Sequence, residues 1–469
     1  MVGQRRVVSA ILFSPRGGSA HAARALSEGL TGEGWRSSLV SGSRSDAGPE
    51  QDAAAFYSGV DELFTVDFTA ALSAREPMLP GIGVAPMHPS FEDRPGGPDR
   101  VFASLGDDEY ERQVRAWSVA LRTAGAASAD VLHLHHLTPI DAAAALFAPE
   151  VPVVSHLHGT ELMMLEAIEA GRGEDWPYAE VWAERLRDWA ARATRLVIAT
   201  PRGRTRACDL LGVDQDRVEV VANGVDAARF SPAPVDRQAV WRRVLLDRPL
   251  GCVAGGAPGS WRARPEQVDA LTEDVTFLYV GRFTEVKRIA LLIEAFTDAR
   301  RRLGGGISLV IVGGHPAEWE GEHPADAIER LGADAVLLAG WHEQSVLPEL
   351  LRASDVVVLP SVNESFGQVL VEGMACELPA IAVDRGGPAE IVEDGETGWL
   401  VEPDDVADLE RAILAAASDP AERARRGRLA RRDVLERYTW RAATRELSTV
   451  LEAAALERGG FTRGEPVAA

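Results

Sequence analysis

Lysine is almost missing from this sequence. Lys287 is the only one among 49 basic residues of a 469-residue chain, so nearly every cation is an arginine. Lysine carries a compact charge on a flexible stem and arginine a broad planar fork, so a single retained ammonium points to a crowded anion pocket that the fork does not fit. Positive charge as a whole is also in deficit, with 71 acidic residues, a formal net charge of -22 and a pI near 5.0. Such a field repels nucleic acid and anionic bilayers, which argues against either as a main partner and leaves only peripheral membrane contact open. Cysteine is scarce: Cys208, Cys252 and Cys376 lie far apart without CxxC spacing, which excludes a disulfide framework and a zinc knuckle. No apolar run reaches about 18 residues, so no transmembrane segment is expected. The N-terminal stretch MVGQRRVVSAILFSPRGG lacks the length and cleavage pattern of a signal peptide, and a cytoplasmic location is expected.

What is present is enough for two domains, each with its own core. Val7 to Phe13 is an apolar strand, followed by a turn through Gly17-Gly18 and an alanine-rich helix from Ala20 to Leu30. Strand, double glycine and helix make a βα unit whose helix N-terminus can approach an anion; the same pattern also fits an ordinary βα turn. Ser41 to Gln51 and Pro77 to Pro98 read as loops, and Glu109 to Ala124 as a helix with Trp117 and Leu121 on one face. Two strands then carry histidines, through His133 and His135 and through His156 and His158, each pair on one face by alternation. Four such rings could ligate zinc, but no flanking cysteine or carboxylate pattern supports a closed site, and no metal is expected. His133 and His135 are read as buried, hydrogen-bonded residues, whereas His158-Gly159-Thr160 falls at a strand end, where open α/β sheets bind ligands. Trp182 and Trp189, seven apart on a helix from Trp176 to Ala193, read as packing. Asn223-Gly224 reads as a turn, since both tolerate positive φ.

Residues 236–274, rich in proline, glycine and charge, read as a linker with an insertion. A second α/β domain follows: the strand Thr276 to Val280, the loop Gly281-Arg-Phe-Thr-Glu-Val-Lys287, further strands at Ile307 to Val312 and ending near Trp341-His342, and helices at Ala407 to Ala417 and Pro420 to Tyr438. Within it, Asp355 to Pro360 reads as a buried strand leading into Glu364-Ser-Phe-Gly367 and a helix that carries Glu372. Eight helical residues rise about 12 Å, so Glu364 and Glu372 are too far apart to share a proton and each grips a different part of one long ligand. Phe366 and Gly367 stand where the helix begins, and their amides can donate to an anion. A sugar, a diphosphate and a ribose fit this order.

Glu364-x7-Glu372 with ESFG, Pro379 and Gly386-Gly387 resembles the donor-site signature of retaining GT-B glycosyltransferases of the family 4 type. The loop with Arg282 and Lys287 matches the family's G-R-x4-K, except that Arg288 stands where relatives often have glycine. Asn223-Gly-Val-Asp226 with Phe230 and Pro232 resembles its NGVD-x3-F-x-P segment, and His158-Gly159-Thr160 its HGT segment beside the reacting sugar. The resemblance implies an α/β GT-B fold: two doubly wound Rossmann-like domains facing across a cleft, with the last helix crossing back to the first. The expected boundaries are residues 1–235 for an acceptor-side domain, 236–274 for the linker, 275–437 for a nucleotide-sugar domain and 438–469 for the crossover helix and tail. It further implies a metal-independent, retaining hexosyltransferase that uses a UDP- or GDP-sugar, a small-molecule or glycan acceptor and no cofactor. Arg282, Lys287 and the Gly367 amide would hold the departing diphosphate, Glu364 the sugar hydroxyls and Glu372 the ribose. His158 would position the sugar, Gly17, Gly18, Phe366 and Asn223 would contact the donor, and Trp341 and His342 the base. Rival readings are a sugar phosphorylase and a non-catalytic nucleotide-sugar-binding protein. A metal-dependent transferase would need an Asp-x-Asp at a strand end, and Asp214-Gln-Asp216 reads as a turn instead. The sequence assigns no role to residues 77–98 and names neither acceptor, sugar, base nor oligomeric state.

Overall fold

The structure is a computed structural model and describes residues 4–15, 17–92, 99–171, 175–314 and 319–457. The chain forms two compact units: the first comprises residues up to Asn223 and from Trp440 on, the second Gly224–Thr439.

Among its described residues the first unit holds seven strands, β1 (Arg6–Ile11), β2 (Arg36–Ser43), β3 (Glu62–Asp67), β4 (Val131–His135), β5 (Val153–His156), β6 (Arg195–Ile198) and β7 (Val218–Val220). They pair in the order β3-β2-β1-β4-β5-β6-β7, and every pairing is parallel. The central strand β1 is a largely apolar run, Val7-Val8 and Ala10-Ile11, as suits a strand buried on both faces. The helix Gly17–Gly32 starts at the double glycine, with Gly17 at φ 72°, and buries Ala22, Ala23, Leu26 and Leu30. Trp117 and Leu121 are fully buried on the helix Asp107–Thr123, as are Trp182 and nearly all of Trp189 on Ala179–Arg192, so the tryptophans pack as expected. The final helix, Trp440–Glu457, belongs to this unit: Ala443, Leu447 and Leu451 pack with Val7, Leu26, Val131 and Val154, and Trp35 donates to Ser448 Oγ at 2.9 Å. The expected loop from Ser41 is corrected at its start, since β2 runs through Ser43; the loop over 77–98 lies partly outside the described residues.

The second unit holds β8 (Val275–Gly281), β9 (Ile307–Gly313), β10 (Val336–Gly340), β11 (Val356–Leu359), β12 (Ala380–Val383) and β13 (Gly398–Val401), also all parallel, in the order β10-β9-β8-β11-β12-β13. In each sheet the order reverses once, between β1 and β4 and between β8 and β11. Neighbouring connections leave such a point in opposite directions, which opens a crevice at the carboxyl ends of those strands.

The boundaries differ from expectation. The break falls after Asn223, and residues 236–274 are part of the second unit rather than a linker. Arg237–Arg242 is helical and continues as a wider π turn over Arg243–Asp247, burying Val240, Trp241, Val244 and Leu245 on one side. Trp241 donates to Ala353 O at 3.2 Å, and Arg237 pairs with Asp355 at 2.8 Å at the start of β11. Apolar spacing outweighs the proline and glycine content here. Asn223 and Gly224 do not adopt positive φ. Instead the Gly224 carbonyl accepts from Gln368 Nε2 at 2.9 Å, and the Val225 amide donates to Tyr438 O at 2.8 Å.

Removing a fully buried tryptophan costs about 3–5 kcal/mol, whereas truncating one in an exposed linker changes little. Trp241→Ala should therefore lower unfolding free energy by about that amount in denaturant titration, and a change under about 0.5 kcal/mol would return the segment to linker status.

Candidate active site

Most of the sequence-predicted residues follow strands at or beside the two strand-order reversals, in one cluster on each unit, whereas Trp341 and His342 follow the edge strand β10 and Asn223 the edge strand β7. In the second unit, β8 ends at Gly281 and β11 at Leu359. The Lys287 ammonium and the Glu364 carboxylate form an ion pair, both largely buried. Their loops are tied together by backbone: the Val362 amide donates to Val286 O at 2.9 Å and Ser361 Oγ to the same oxygen at 3.2 Å. Arg282 belongs to the same neighbourhood. Its carbonyl accepts from the Tyr279 hydroxyl at 3.0 Å, and that hydroxyl is pushed well above its usual range by burial, then by the Glu364 charge, with Arg282 opposing.

Arg288 resolves its departure from the family pattern. It sits at φ 54°, the left-handed conformation a glycine would supply, immediately before the helix Ile289–Leu303. Its guanidinium is held by Asp404, with Nε to Oδ1 at 2.5 Å. The loop thus keeps a glycine-like turn with an arginine in it.

Gly367, at φ 106°, caps the helix Gln368–Ala375, whose first amides have no acceptor within the helix. Phe366 is buried against Tyr438. The double glycine closes onto this segment: Gly387 donates to Glu364 O at 3.0 Å, and a Cβ at Gly387 would come 2.5 Å from the Phe366 backbone. Glu364 and Glu372 have different partners, as their spacing requires. Glu372 is buried and takes a hydrogen bond from Gln344 Nε2 at 3.3 Å. Burial pushes its carboxyl up to about 7, only partly opposed by Gln344 and the Arg229 charge. Gln344 lies just beyond Trp341 and His342 at the end of β10, so the ribose and base candidates are adjacent. Trp341 is 40% exposed; His342 is half-buried, with Nε2 donating to Ala339 O at 3.1 Å.

In the first unit, His133 and His135 on β4 point to the face shared with His156 on β5, with His135 and His156 in register. His158 follows β5 just before Gly159, at φ 94°, and the helix Thr160–Glu169. His133 Nε2 lies 3.2 Å from His156 Nδ1, and His135 Nδ1 3.0 Å from His158 Nε2. Burial pushes the rings of His133, His135 and His158 well below the usual histidine range and His156 to about 4, so all four are neutral near neutral pH. Burial of His133 and His135 was expected, but complete pairing was not reached: His135 Nε2 and His156 Nε2 have no partner. Sequence reasoning also missed His136 and Glu161. Glu161 Oε1 accepts from the His158 amide at 3.0 Å and Oε2 lies 3.3 Å from His136 Nδ1. Burial pushes the Glu161 carboxyl up, but His136 and these hydrogen bonds outweigh it and the net shift is downward. The signal was present as a carboxylate five residues after His156, on the first turn of the next helix. Gly17 and Gly18 lie at the end of β1, beside β4, with open space where their side chains would be. Asn223 closes the unit's first stretch of chain. Asp214 and Asp216 are exposed in a short turn before β7, as expected.

Two doubly wound parallel sheets, the second carrying the Lys287–Glu364 pair and the Gly367 helix start at its order reversal, define the α/β GT-B class. Residues 16–229 match the family model described as Glycosyltransferase Family 4, and residues 262–433 that of Glycosyl transferases group 1. The chain is 30% identical over 413 residues to a D-inositol 3-phosphate glycosyltransferase of Salinispora tropica, covering 84% of this chain and 77% of that one. A protein of the same name from Salinispora arenicola is 31% identical, covering 82% and 81%. Anabaena HepE, solved in complex with UDP and glucose, superposes with a TM-score of 0.66 over 96% of this chain and 100% of that one; at 17% identity this establishes the fold. The chain belongs to the group 1, family 4 glycosyltransferases and is a glycosyltransferase enzyme. Among the described residues, no helix is long and apolar enough to cross a membrane.

The raised Glu372 carboxyl makes a pH prediction. The folded chain keeps a proton there that the unfolded chain releases near pH 4.5, so this group's contribution to stability is full below that pH and is lost as pH rises toward about 7. Glu372→Gln should gain stability relative to the parent as pH rises from about 5 to about 7, by up to about 1.4 kcal/mol per pH unit, and hold that gain above it. Parallel stability curves for the two proteins would show that Glu372 is ionised throughout.

Proposed function

We propose that this glycosyltransferase moves a hexose from a nucleotide-diphosphate sugar to a small-molecule acceptor, with retention at the anomeric carbon and without a metal ion. The barrier in such a transfer is charge: the sugar becomes oxocarbenium-like while negative charge builds on the departing phosphate. Arg282, Lys287 and the amides at the Gly367 helix start are suited to hold that phosphate, and preorganised donors of this kind are worth about 3–4 kcal/mol each. The ion pair between Lys287 and Glu364 carries the reading, because it joins a phosphate-binding cation to a carboxylate able to take sugar hydroxyls, in one spot. When the bond from the anomeric carbon to the phosphate oxygen breaks, the acceptor oxygen forms its bond on the same face, and the leaving phosphate takes the acceptor's proton. Glu372 holds the ribose, Trp341 and His342 flank the base, and Gly17, Gly18 and His158 serve the sugar and diphosphate.

UDP is the favoured nucleotide, since a neighbour of the same fold binds UDP and glucose, and the relatives' names favour an inositol phosphate as acceptor. A phosphorylase is less well supported, because it would use free phosphate and leave the buried Glu372 without a ribose. A panel of UDP-, GDP- and ADP-sugars with inositol 3-phosphate, read by product chromatography and anomeric NMR, tests the assignment. Turnover of no sugar nucleotide, or a product of inverted configuration, would overturn it.

Lys287→Ala should lower kcat about a hundredfold with the fold intact, and unchanged kinetics would remove Lys287 from the site. EDTA should leave activity unchanged; loss of activity restored by a divalent ion would refute metal independence.

A further inference from the structure

The five histidines from His133 to His158 exceed what sugar positioning by one ring requires. Four of them form two hydrogen-bonded pairs whose protons can be placed by counting donors and acceptors, and His136 faces Glu161 instead. In the pair His135 Nδ1 to His158 Nε2, 3.0 Å apart, one nitrogen carries the proton and the other accepts it. His135 has one further ring nitrogen, Nε2, which is buried and without a partner. If His158 donated, His135 would have to carry its own proton on Nε2, as an orphaned buried N–H. If His135 donates from Nδ1, the orphan is a bare lone pair. Unpartnered buried N–H groups are the rarer outcome in folded proteins. The second pair follows the same pattern: His156 Nε2 is likewise buried and unpartnered, and its Nδ1 faces His133 Nε2 at 3.2 Å, with His133 Nδ1 reaching Ser9 Oγ at 3.4 Å.

We infer that His135 is a positioning residue that fixes His158 as its Nδ1–H tautomer, so that His158 meets the ligand as a hydrogen-bond donor and never as a base. Three contacts hold the donor in place. His135 engages Nε2, the His156 ring stacks on the His158 ring at 4.7 Å and 4°, and Glu161 accepts from the His158 backbone amide at 3.0 Å. Burial keeps the rings neutral, so the arrangement does not depend on protonating any of them. A neutral N–H aimed at a sugar oxygen suits a reaction in which the leaving phosphate removes the acceptor's proton. The inference rests on the reading of His158 as a sugar contact, but the tautomer is measurable without turnover.

Selective ¹⁵N-histidine labelling of the full chain, with His158 assigned by its loss in His158→Gln, reads the tautomer directly. The expected spectrum shows Nδ1 protonated and Nε2 bare; the opposite pattern overturns the inference. His135→Asn keeps an N–H near the Nδ1 position and His135→Leu removes it. His135→Leu should lose about tenfold in kcat/KM for the sugar nucleotide, the worth of one hydrogen bond, with UDP affinity unchanged, and His135→Asn should recover most of the loss. Equal losses in the two variants, or parallel loss of UDP binding, would make the role merely structural and overturn it. Ring nitrogens of His133, His135 and His156 also come within 4.8 Å of one another, so metal content is measured on the purified protein. A stoichiometric metal there would place these nitrogens on the ion and overturn the inference, and its absence is the expected result. Should the protein turn over no sugar nucleotide while the spectrum shows the Nδ1–H form, the proposed function fails and the tautomer assignment stands.

Discussion

All-parallel pairing is the constraint on which the rest of this molecule depends. A parallel strand must be reached by a crossover, so each strand ends in a loop that leads to a helix N-terminus, and all those loops lie along one edge of the sheet. Reversal of strand order then separates two neighbouring crossovers and leaves room between them. In the second unit this edge carries the Lys287–Glu364 pair and the glycine-capped helix start at Gly367. In the first it carries the double glycine after β1 and the histidines of β4 and β5. Chemistry accumulates where the backbone leaves amides without acceptors and side chains without neighbours.

The parts of this arrangement that sequence could disclose are those with strong local grammar. An apolar run, a glycine-rich turn and a helical period define a βα unit without tertiary information, and the second unit is built of such units from Val275 onward. Residues 236–274 misled because proline, glycine and charge suggest a loop, while the helical spacing of Val240, Trp241, Val244 and Leu245 is too short to stand out. Asn223-Gly224 misled in the opposite way. The pair permits a left-handed turn, but hydrogen bonds to Gln368 and Tyr438 hold the chain otherwise, and only tertiary structure supplies those partners. Glu161 carried a local signal, a carboxylate on the helix turn after the second histidine strand, but its pairing with His136, 25 residues away, comes only from adjacent parallel strands. Arg288 shows the limit of pattern matching by identity. The loop requires positive φ, and this chain meets that requirement with an arginine anchored by Asp404.

Both sites are also places where the fold gives up stability. A carboxyl group buried at Glu372 has its pKa raised to about 7, and the Nε2 atoms of His135, His136 and His156 are buried with nothing to bond. Desolvated polar atoms of this kind cost on the order of 1–3 kcal/mol each when unpartnered, and well-packed apolar residues would cost less. Groups kept at that expense are the ones to examine for ligand contacts, since a bound hydroxyl supplies the missing partner.

The two clusters differ in charge, and under the proposed function the difference suits the division of charge in a glycosyl transfer. The second unit places an ammonium and a guanidinium on its loops, suited to a leaving group that gains negative charge. The first unit offers neutral rings. A cationic imidazolium close to a sugar becoming oxocarbenium-like would repel it, by about 4 kcal/mol for unit charges 4 Å apart near a protein surface. Burial removes that repulsion by holding the histidines in their uncharged form, and their mutual hydrogen bonds decide which nitrogen keeps its proton. Under the proposed function, desolvation that would be a defect in a structural core becomes, around His158, the means of presenting a polar contact without a charge.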